Sequence, residues 1–316
     1  MILSPQGKVP PVSDVSQLEV VMRYHERTKH HFNRYAAGPG RLDWANQPDP
    51  FRRYEGAALV RLPVLGAEEE PRSPSYESLF VPGAVPTAPV TVRTLSRFLE
   101  YALALSAWKQ AGGTRWALRA NPSSGNLHPT EGYLLIGAVP GLAESAGLFH
   151  YAPREHGLER RADCPQALFA RLMRGLPPRA FLVGLSSVHW REAWKYGERA
   201  FRYCQHDAGH ALGALRIAAA TLGWSAVVLE GLADETIESL LGLDRDADFE
   251  GAERESAELL VALWPGNAAA DNPNLDADAV RELAGQRWHG KANRLSPEDP
   301  VPWDIIGQVA EASRKP

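Results

Sequence analysis

The feature that most constrains the fold is an apolar stretch in residues 191–222. Its apolar side chains recur with the 3.6-residue period of an α-helix, at Phe201, Cys204, Ala208, Leu212, Leu215, Ala219 and Leu222. From Ala208 onward the stretch is small and apolar on nearly every side, and such a helix must be buried on several sides. We therefore predict one long central helix over residues 191–222, which Gly223 ends.

Shorter periodic segments predict the elements around this helix. Helices are expected at 15–35, with Ser16 and Glu19 as a capping box, and at 92–110, 166–173, 234–241 (capped by Asp234) and 305–313. Strands are expected at 58–62, 116–119, 133–136, 180–185, 225–229 and 259–264, and a hairpin at 148–152 and 158–161. This irregular alternation indicates an α+β fold, with a mixed, mostly antiparallel sheet wrapped by helices.

The chain is expected to form one domain with irregular extensions. Residues 1–91 are predicted to hold the N-terminal helix and an extended arm, residues 92–266 the core, and residues 267–316 a polar, Pro-rich tail. The arm contains a Gly- and Pro-rich loop that carries Trp44, Phe51 and Tyr54. Because aromatic residues in a long loop usually have a packing partner, we expect this loop to pack on another part of the chain.

Composition argues against several classes of function. The formal net charge is -4, from 34 basic and 38 acidic residues, so neither nucleic acid nor an anionic membrane is an expected partner. The two cysteines lie far apart, which argues against a disulfide framework and a cysteine zinc site and fits a reducing compartment. The N-terminus lacks the apolar core of a signal peptide. We therefore expect a soluble, cytoplasmic protein.

Two polar segments contain residue types that bind ligands. Residues 24–32 read YHERTKHHF, and a phosphate is bound well by basic and hydroxyl side chains such as Arg27, Thr28, Lys29 and His30. The alternative is a solvated basic turn. Residues 119–129 form a turn in which small residues allow a flat ligand close to the backbone. Its hydrogen-bonding candidates are Asn121, Ser123, Ser124 and Asn126, beside Pro122; the alternative is an ordinary turn.

Two further segments lie on the predicted long helix. Lys195 and Tyr196 are adjacent and are able to serve as an acid, a base or an electrostatic anchor; the alternative is a snorkelling lysine beside a packed tyrosine. His206 and His210 have the spacing of a zincin metal site. A zincin needs a glutamate where Asp207 stands, together with a third ligand, so a zinc hydrolase is the less favoured alternative.

Taken together, these segments resemble the nitroreductase superfamily, in the branch of SagB-like azoline oxidases. PSSGNLHPTEGYLLI, which begins at Pro122 and includes Gly125 and Glu131, resembles the flavin-contacting segment of that branch. WKYGERAFRYCQHDAGHALGALRIAAATLGW, which contains Lys195 and Tyr196, is similar to its long helix. YHERTKHHF is similar to its phosphate-binding segment, although His30 stands where most relatives have arginine. The pattern of this branch contains His210 but not His206.

This resemblance implies a nitroreductase-like fold that binds FMN between two such units. It implies an FMN-dependent oxidoreductase that transfers hydride between the flavin and a small organic substrate, with NAD(P)H as a reductant. Lys195 and Tyr196 are expected near the flavin, and a backbone N–H at Leu229 or Gly231 is expected to stabilise the reduced flavin. The second unit would come from a homodimer or from a longer tandem protein. A degenerate, non-catalytic unit that binds a partner is the other alternative.

Overall fold

An antiparallel sheet of seven strands forms the centre of the structure, a computed structural model that describes residues 16–66, 74–271 and 274–316. The strands are β1 Tyr54–Glu55, β2 Leu59–Arg61, β3 Leu105–Ala111, β4 Thr114–Arg119, β5 Thr130–Ile136, β6 Gly147–Ala152, β7 Gly157–Asp163, β8 Phe181–Ser187, β9 Trp224–Val228, β10 Ser256–Pro265 and β11 Lys291–Ala292. The helices are α1 Gln17–Thr28, α2 Val92–Ala102, α3 Gln166–Leu172, α4 His189–Tyr196, α5 Ala200–Thr221, α6 Asp234–Leu241, α7 Ala277–Ala284 and α8 Asp304–Ala312.

The strand order of the central sheet is β2-β7-β6-β5-β8-β10-β9. Neighbouring strands pair antiparallel, and the predicted hairpin is formed by β6 and β7. The predicted α+β fold, with a mostly antiparallel sheet wrapped by helices, is therefore confirmed. Residues 1–15 and 67–73 of the predicted N-terminal arm lie outside the described residues.

Helices cover both faces of the sheet, because successive side chains of a strand point to opposite sides. Along β8, Leu182 packs into one core and Val183 into the other. Helices α2 and α5 cover the Val183 face through Phe98 and Leu215. Helices α3, α6 and α7 cover the Leu182 face through Leu168, Leu240 and Leu283. None of the described helices is long and apolar enough to cross a membrane.

The predicted long helix is present as α5, but it does not extend without a break over 191–222, because the chain is interrupted at Gly197. Helix α4 ends at Tyr196, a 3₁₀ turn follows over Gly197–Arg199, and α5 begins at Ala200. The φ angle of Gly197 is +52°, and a Cβ there would lie 2.9 Å from the carbonyl oxygen of Ala37. Only glycine fits this conformation without strain. Lys195 and Tyr196 therefore lie at the end of α4, before the break, and not within the long helix.

The predicted burial of α5 on several sides is also only partly correct. Ala208, Ala211 and Leu215 are buried, but one face of the helix is exposed at His206, Gly209, His210, Gly213, Arg216 and Ile217. Small apolar side chains are compatible with either environment, so composition alone did not distinguish a surrounded helix from one that packs on a single side.

The predicted helix over 92–110 is too long, because its second half is a strand. Helix α2 ends at Ala102, and β3 pairs with β4 in a separate two-stranded hairpin whose register sets Lys109 opposite Trp116. Gly112 and Gly113 connect the strands with φ angles of +54° and +83°. Two consecutive positive φ angles match the right-handed twist of a hairpin, so this glycine pair begins a return strand rather than simply ending a helix.

Three smaller predictions also need correction. Helix α1 has the predicted Ser16–Glu19 capping box but ends at Thr28, after which Lys29 is extended. Asp234 is the first residue of α6 rather than its cap, which is Ala233. The polar tail contains α7, which was not predicted; Asp276 caps this helix through the N–H groups of its first turn.

Ionic side chains form a continuous hydrogen-bonded chain through the sheet. Arg191 donates to Glu131, whose other oxygen lies 3.0 Å from Nε2 of His150. Nδ1 of His150 lies 3.0 Å from Glu159, which accepts a 2.6 Å bond from Arg53. Both ring nitrogens of His150 therefore face carboxylates, and these carboxylates raise the pKa of His150 against the opposing effect of burial. A doubly hydrogen-bonded imidazolium between two carboxylates best satisfies this arrangement.

We expect His150→Gln to lower the free energy of unfolding by about 3 kcal/mol or more below pH 6, because it removes the shared partner of two buried carboxylates. The pKa of His150 is raised on folding. Its stabilising contribution is therefore complete below the ordinary histidine pKa and is lost as pH rises through the raised value. Denaturant titrations from pH 5.5 to 9 should show the gap between the two proteins narrowing with pH; a constant gap would contradict a charged His150.

Candidate active site at the serine–glycine bend

Residues 121–126, named here the serine–glycine bend, connect β4 to the strand β5 and are fixed by their own side chains. Oγ of Ser123 accepts a 2.8 Å bond from the backbone N–H of His128. Asn126 donates to the carbonyl of Ala117 at 2.8 Å, and its oxygen lies 3.0 Å from Nε2 of His128. Gly125 and Asn126 both have positive φ angles, 63° and 61°. The bend is thus a defined structure rather than a loose turn.

A buried carboxylate on α5 holds the bend against the long helix. Asp207 is fully buried, and its two oxygens accept from the backbone N–H of Ser124 at 3.0 and 3.1 Å. Oδ1 also accepts from Oγ of Ser124 at 3.0 Å. Bonds from an amide and a hydroxyl to a charged acceptor are stronger than neutral ones. Asp207, which the zincin comparison treated as a defective glutamate, is therefore the anchor of the bend.

Lys195 and Tyr196 contact the same bend at Gly125. A Cβ added to Gly125 would lie 2.5 Å from Oη of Tyr196 and 3.0 Å from Nζ of Lys195. The absence of a side chain at this position therefore lets both groups reach the backbone. Burial raises the pKa of the Tyr196 phenol, and the nearby Glu192, Tyr203 and Asp207 raise it further. The phenol is consequently protonated at neutral pH and is able to donate a proton.

We expect Gly125→Ala to lower stability by about 1 kcal/mol or more, because a non-glycine residue is strained at positive φ and the new methyl group would collide with Tyr196. Gly307→Ala on α8 is the matched control, since a Cβ there meets nothing within 4 Å and alanine favours a helix. Thermal unfolding of both variants tests this expectation. Equal melting temperatures for the two variants would contradict the close approach at Gly125.

Glu192 is a buried acid beside these groups. Its side chain has no exposed surface, and neither carboxyl oxygen has a hydrogen-bond partner among the described residues. Burial raises its pKa from 4.5 to about 9, and the negative charge of Asp207 contributes in the same direction. Glu192 therefore retains its proton at neutral pH. Glu192 lies one helical turn before Lys195 and Tyr196 on α4. The site therefore contains an uncharged carboxylic acid next to the Lys195 ammonium and the Tyr196 phenol.

We expect Glu192→Gln to make the protein more stable than the parent at alkaline pH. The unfolded parent releases the Glu192 proton above about pH 4.5, whereas the folded parent holds it up to about pH 9. Unfolding of the parent therefore becomes easier between these values, by up to about 1.4 kcal/mol per pH unit. Denaturation at pH 5, 7 and 8.5 should show a gain that grows with pH. Glu230→Gln, at an exposed carboxyl, is the control; the same gain in both variants would refute the assignment.

A cavity of about 690 Å³ opens beside the bend and is named here the aromatic cavity. Gly125, Asn126 and Lys195 line it together with Trp44, Phe51, Trp108, Trp116 and Trp194. The predicted packing of the aromatic loop is thus found for Trp44, whose ring lies 5.2 Å from that of Trp194. No sequence motif marked Trp108, Trp116 or Glu192, because the hairpin and the break at Gly197 had to be known before these residues could be placed.

The predicted phosphate segment lies against the start of α5. Arg27 forms a two-point ion pair with Glu198, including a 2.9 Å bond from Nε, and Lys29 pairs with Glu26. Arg199 donates to the carbonyl of Thr28. The hydroxyl of buried Thr28 donates to Tyr24 and accepts from Arg202 at 3.0 Å, while His30 is exposed and contacts Tyr35 edge-on. These contacts place the segment beside the turn that follows Tyr196.

The other predicted ligand-binding residues differ in their surroundings. Asn121 is buried, and its side-chain oxygen has no partner among the described residues, whereas Pro122 is exposed. The N–H of Leu229 donates to the carbonyl of Leu260 at 2.9 Å. A Cβ on exposed Gly231 would lie 3.1 Å from Oδ1 of Asn274. Neither Leu229 nor Gly231 lines the aromatic cavity.

The histidine pair of the zinc alternative faces solvent. His206 and His210 are both exposed, and the closest carboxylate contact of His210 is Asp207 at 3.8 Å. Over the described ranges, no group of three or more His, Cys, Asp or Glu side chains is arranged to hold a metal ion. The i and i+4 spacing therefore lacks the further ligand that a zincin site requires.

Known proteins resemble this chain over the same elements. It matches the model of the nitroreductase family over residues 86–252. It is 25% identical over 161 residues to a nitroreductase-like protein of Methanocaldococcus jannaschii, MJ1384, covering 49% of this chain and 76% of that protein. It is 31% identical over 160 residues to the trifolitoxin-processing protein TfxB of Rhizobium leguminosarum bv. trifolii, covering 48% of this chain and 42% of that protein.

A solved structure extends the likeness beyond the segment that the family model matches. The crystal structure of a nitroreductase-like protein from Anabaena variabilis superposes with a TM-score of 0.56 at 27% identity. The match covers 83% of this chain and 53% of that one. This chain therefore spans about half the length of the Anabaena protein, and the similarity to TfxB fits the branch inferred from the sequence. Since the matched family segment is more than half of the chain and contains both the bend and Lys195, the chain belongs to the nitroreductase family.

Proposed function

We propose that this chain is an FMN-dependent oxidoreductase that transfers hydride between the flavin and a small organic substrate. The observation that carries the proposal is the contact of Lys195 and Tyr196 with the serine–glycine bend, at the edge of the aromatic cavity. Membership of the nitroreductase family supports an oxidoreductase-like function. The fold supplies binding and orientation, while FMN, when bound, supplies the capacity to accept and release hydride.

The residues of the bend fit a flat, polar-edged ring. The buried oxygen of Asn121 lacks a partner among the described residues, as expected of an acceptor that awaits a ligand N–H or a water molecule. Asn121, Pro122, Ser123, Ser124 and Asn126 would contact the ring or its ribityl chain. The aromatic cavity beside the bend, of about 690 Å³, has the usual size of a small-molecule site and would receive the substrate. In the segment from Leu229 to Gly231, the N–H of Leu229 already donates to Leu260, so the proposed contact for the reduced ring is the N–H of Glu230 or Gly231.

Arg27, Thr28, Lys29 and His30 would hold the flavin phosphate. Both Arg27 and Lys29 are paired with carboxylates within the chain, so a phosphate would have to displace or share these partners. Arg199 and Arg202 supply two more guanidinium groups at Thr28. Guanidinium groups match phosphate oxygens in pairs, which makes the whole cluster a suitable anion site.

Lys195 and Tyr196 would act on the substrate. In the described part of the chain, no carboxylate lies within salt-bridge distance of the Lys195 ammonium, which lines the aromatic cavity. This cation would orient an electron-rich substrate atom and offset negative charge that develops next to it. The protonated phenol of Tyr196 would donate a proton to the reduced product. NAD(P)H is the proposed reductant.

A second nitroreductase-like unit would complete the site. The flavin of such proteins is expected between two units, and this chain spans about half of TfxB and of the Anabaena protein. A homodimer would supply the second unit. The exposed face of α5, with Gly209 and Gly213, allows close approach of another helix because a Cβ at either position meets nothing within 4 Å.

A non-catalytic, partner-binding unit is the second candidate. It is favoured by one observation, the pairing of Arg27 with Glu198 and of Lys29 with Glu26, which neutralises the predicted phosphate-binding cations. Such a protein would hold its fold by these ion pairs and would need no flavin.

An absorbance spectrum of the purified protein, before and after addition of FMN, separates these two candidates. We expect a flavin spectrum and NAD(P)H oxidation in the presence of a nitroarene or a quinone. Lys195→Met should lower kcat about 100-fold with the flavin retained, a typical effect of removing a group beside the reacting atoms. Lys109→Met removes an exposed lysine of the hairpin as the control. A colourless protein that neither takes up FMN nor oxidises NAD(P)H would contradict the flavin proposal and favour the non-catalytic candidate.

A further inference from the structure

The wall of the aromatic cavity is formed by the β3–β4 hairpin, which lies outside the central sheet. Trp108 is 43% exposed, although its ring faces the buried ring of Phe51 at 6.3 Å. A cluster of apolar rings at a surface, such as the four tryptophans around this cavity, is typical of a contact site, whereas a single exposed ring is not. Trp108 and Trp116 of this hairpin belong to neither core of the central sheet, so their rings are not needed to fill it.

Cations surround these rings. The guanidinium of Arg115 lies 4.3 Å from the centre of the Trp108 ring, and that of Arg154 lies 5.6 Å from the centre of Phe51. Arg115, Arg154 and Lys195 all line the cavity, and none has a carboxylate in salt-bridge range among the described residues. Asp49 is the one acidic residue of the lining, and its Oδ1 accepts a bond from the N–H of Phe51. The lining therefore carries more positive than negative charge.

We infer that the aromatic cavity selects planar aromatic ligands that carry an anionic group, and that Trp108 and Arg115 supply the selectivity. The ring of such a ligand stacks on the tryptophan side chains, which offer large flat faces. Its anionic group meets the unpaired guanidinium of Arg115, already oriented by its stacking on Trp108. The inference rests on the proposed function, because it takes the ligand selected by the cavity to be the organic substrate of the oxidoreductase.

Binding of two unreactive probes to the purified full chain tests the selectivity. The probes are 2-naphthoate and 2-naphthamide, which share ring and shape but differ in charge, and neither carries a nitro, quinone or enone group that accepts hydride. We expect isothermal titration to show at least about threefold tighter binding of 2-naphthoate, a preference that falls as salt is added. Arg115→Ala should abolish most of this preference. Trp108→Leu should weaken both probes alike, by about threefold or more.

Lys109→Ala is the matched control, because Lys109 lies on the same hairpin opposite Trp116 but does not line the cavity. It removes the same unit of charge and should leave the preference unchanged. Equal affinity of the parent for the two probes, absence of binding by either, or the same loss in Lys109→Ala and Arg115→Ala would overturn the inference. The flavin absorbance of the same samples reports on the proposed function separately, so the failure of one is distinguishable from the failure of the other.

Discussion

The arrangement of the site depends on the acceptance of three hydrogen bonds by Asp207. This carboxylate belongs to the long helix, whereas its donors belong to Ser124 on the bend, 83 residues earlier. With the bend fixed, Gly125 presents bare backbone to Lys195 and Tyr196. A charged acceptor in a dry environment binds its donors strongly and cannot be left without them. Asp207 therefore holds the bend against α5, with Gly125 in contact with the end of α4.

Burial, together with the charge of Asp207, keeps the neighbouring carboxyl of Glu192 protonated. Glu192 has no hydrogen-bond donors of its own among the described residues, so it remains protonated beside Asp207. Elsewhere in the interior, Glu131 is paired with Arg191 and His150, and its pKa is lowered to about 2. Two buried glutamates only 61 positions apart thus have opposite charge states because one has cationic partners and the other has none. The core tolerates charge only where a partner accompanies it.

Sequence pattern sufficed for the elements that local periodicity determines. The Ser16–Glu19 box and the hairpin of β6 and β7 follow from neighbouring residues. The break at Gly197 does not, because that glycine is required by contact with Ala37, which is distant in sequence. The aromatic cavity is not predictable from the sequence for the same reason. Trp44, Trp108 and Trp194 come from three separate elements, and only the fold brings them together. In the sequence, Asp207 is notable only within the zincin spacing, and its bonds to Ser124 are visible only in the structure.

The ion pair of Arg27 and Glu198 has a consequence for any anion that approaches the first helix. Glu198 is part of the same chain, so its effective concentration at the guanidinium is set by the fold and is not diluted with the protein. An incoming anion competes with the Glu198 carboxylate for Arg27. Its net binding free energy is therefore reduced by the free energy of the ion pair that it replaces. Whether an anion occupies the Arg27 site therefore depends on whether it binds the guanidinium more tightly than the chain's own carboxylate does.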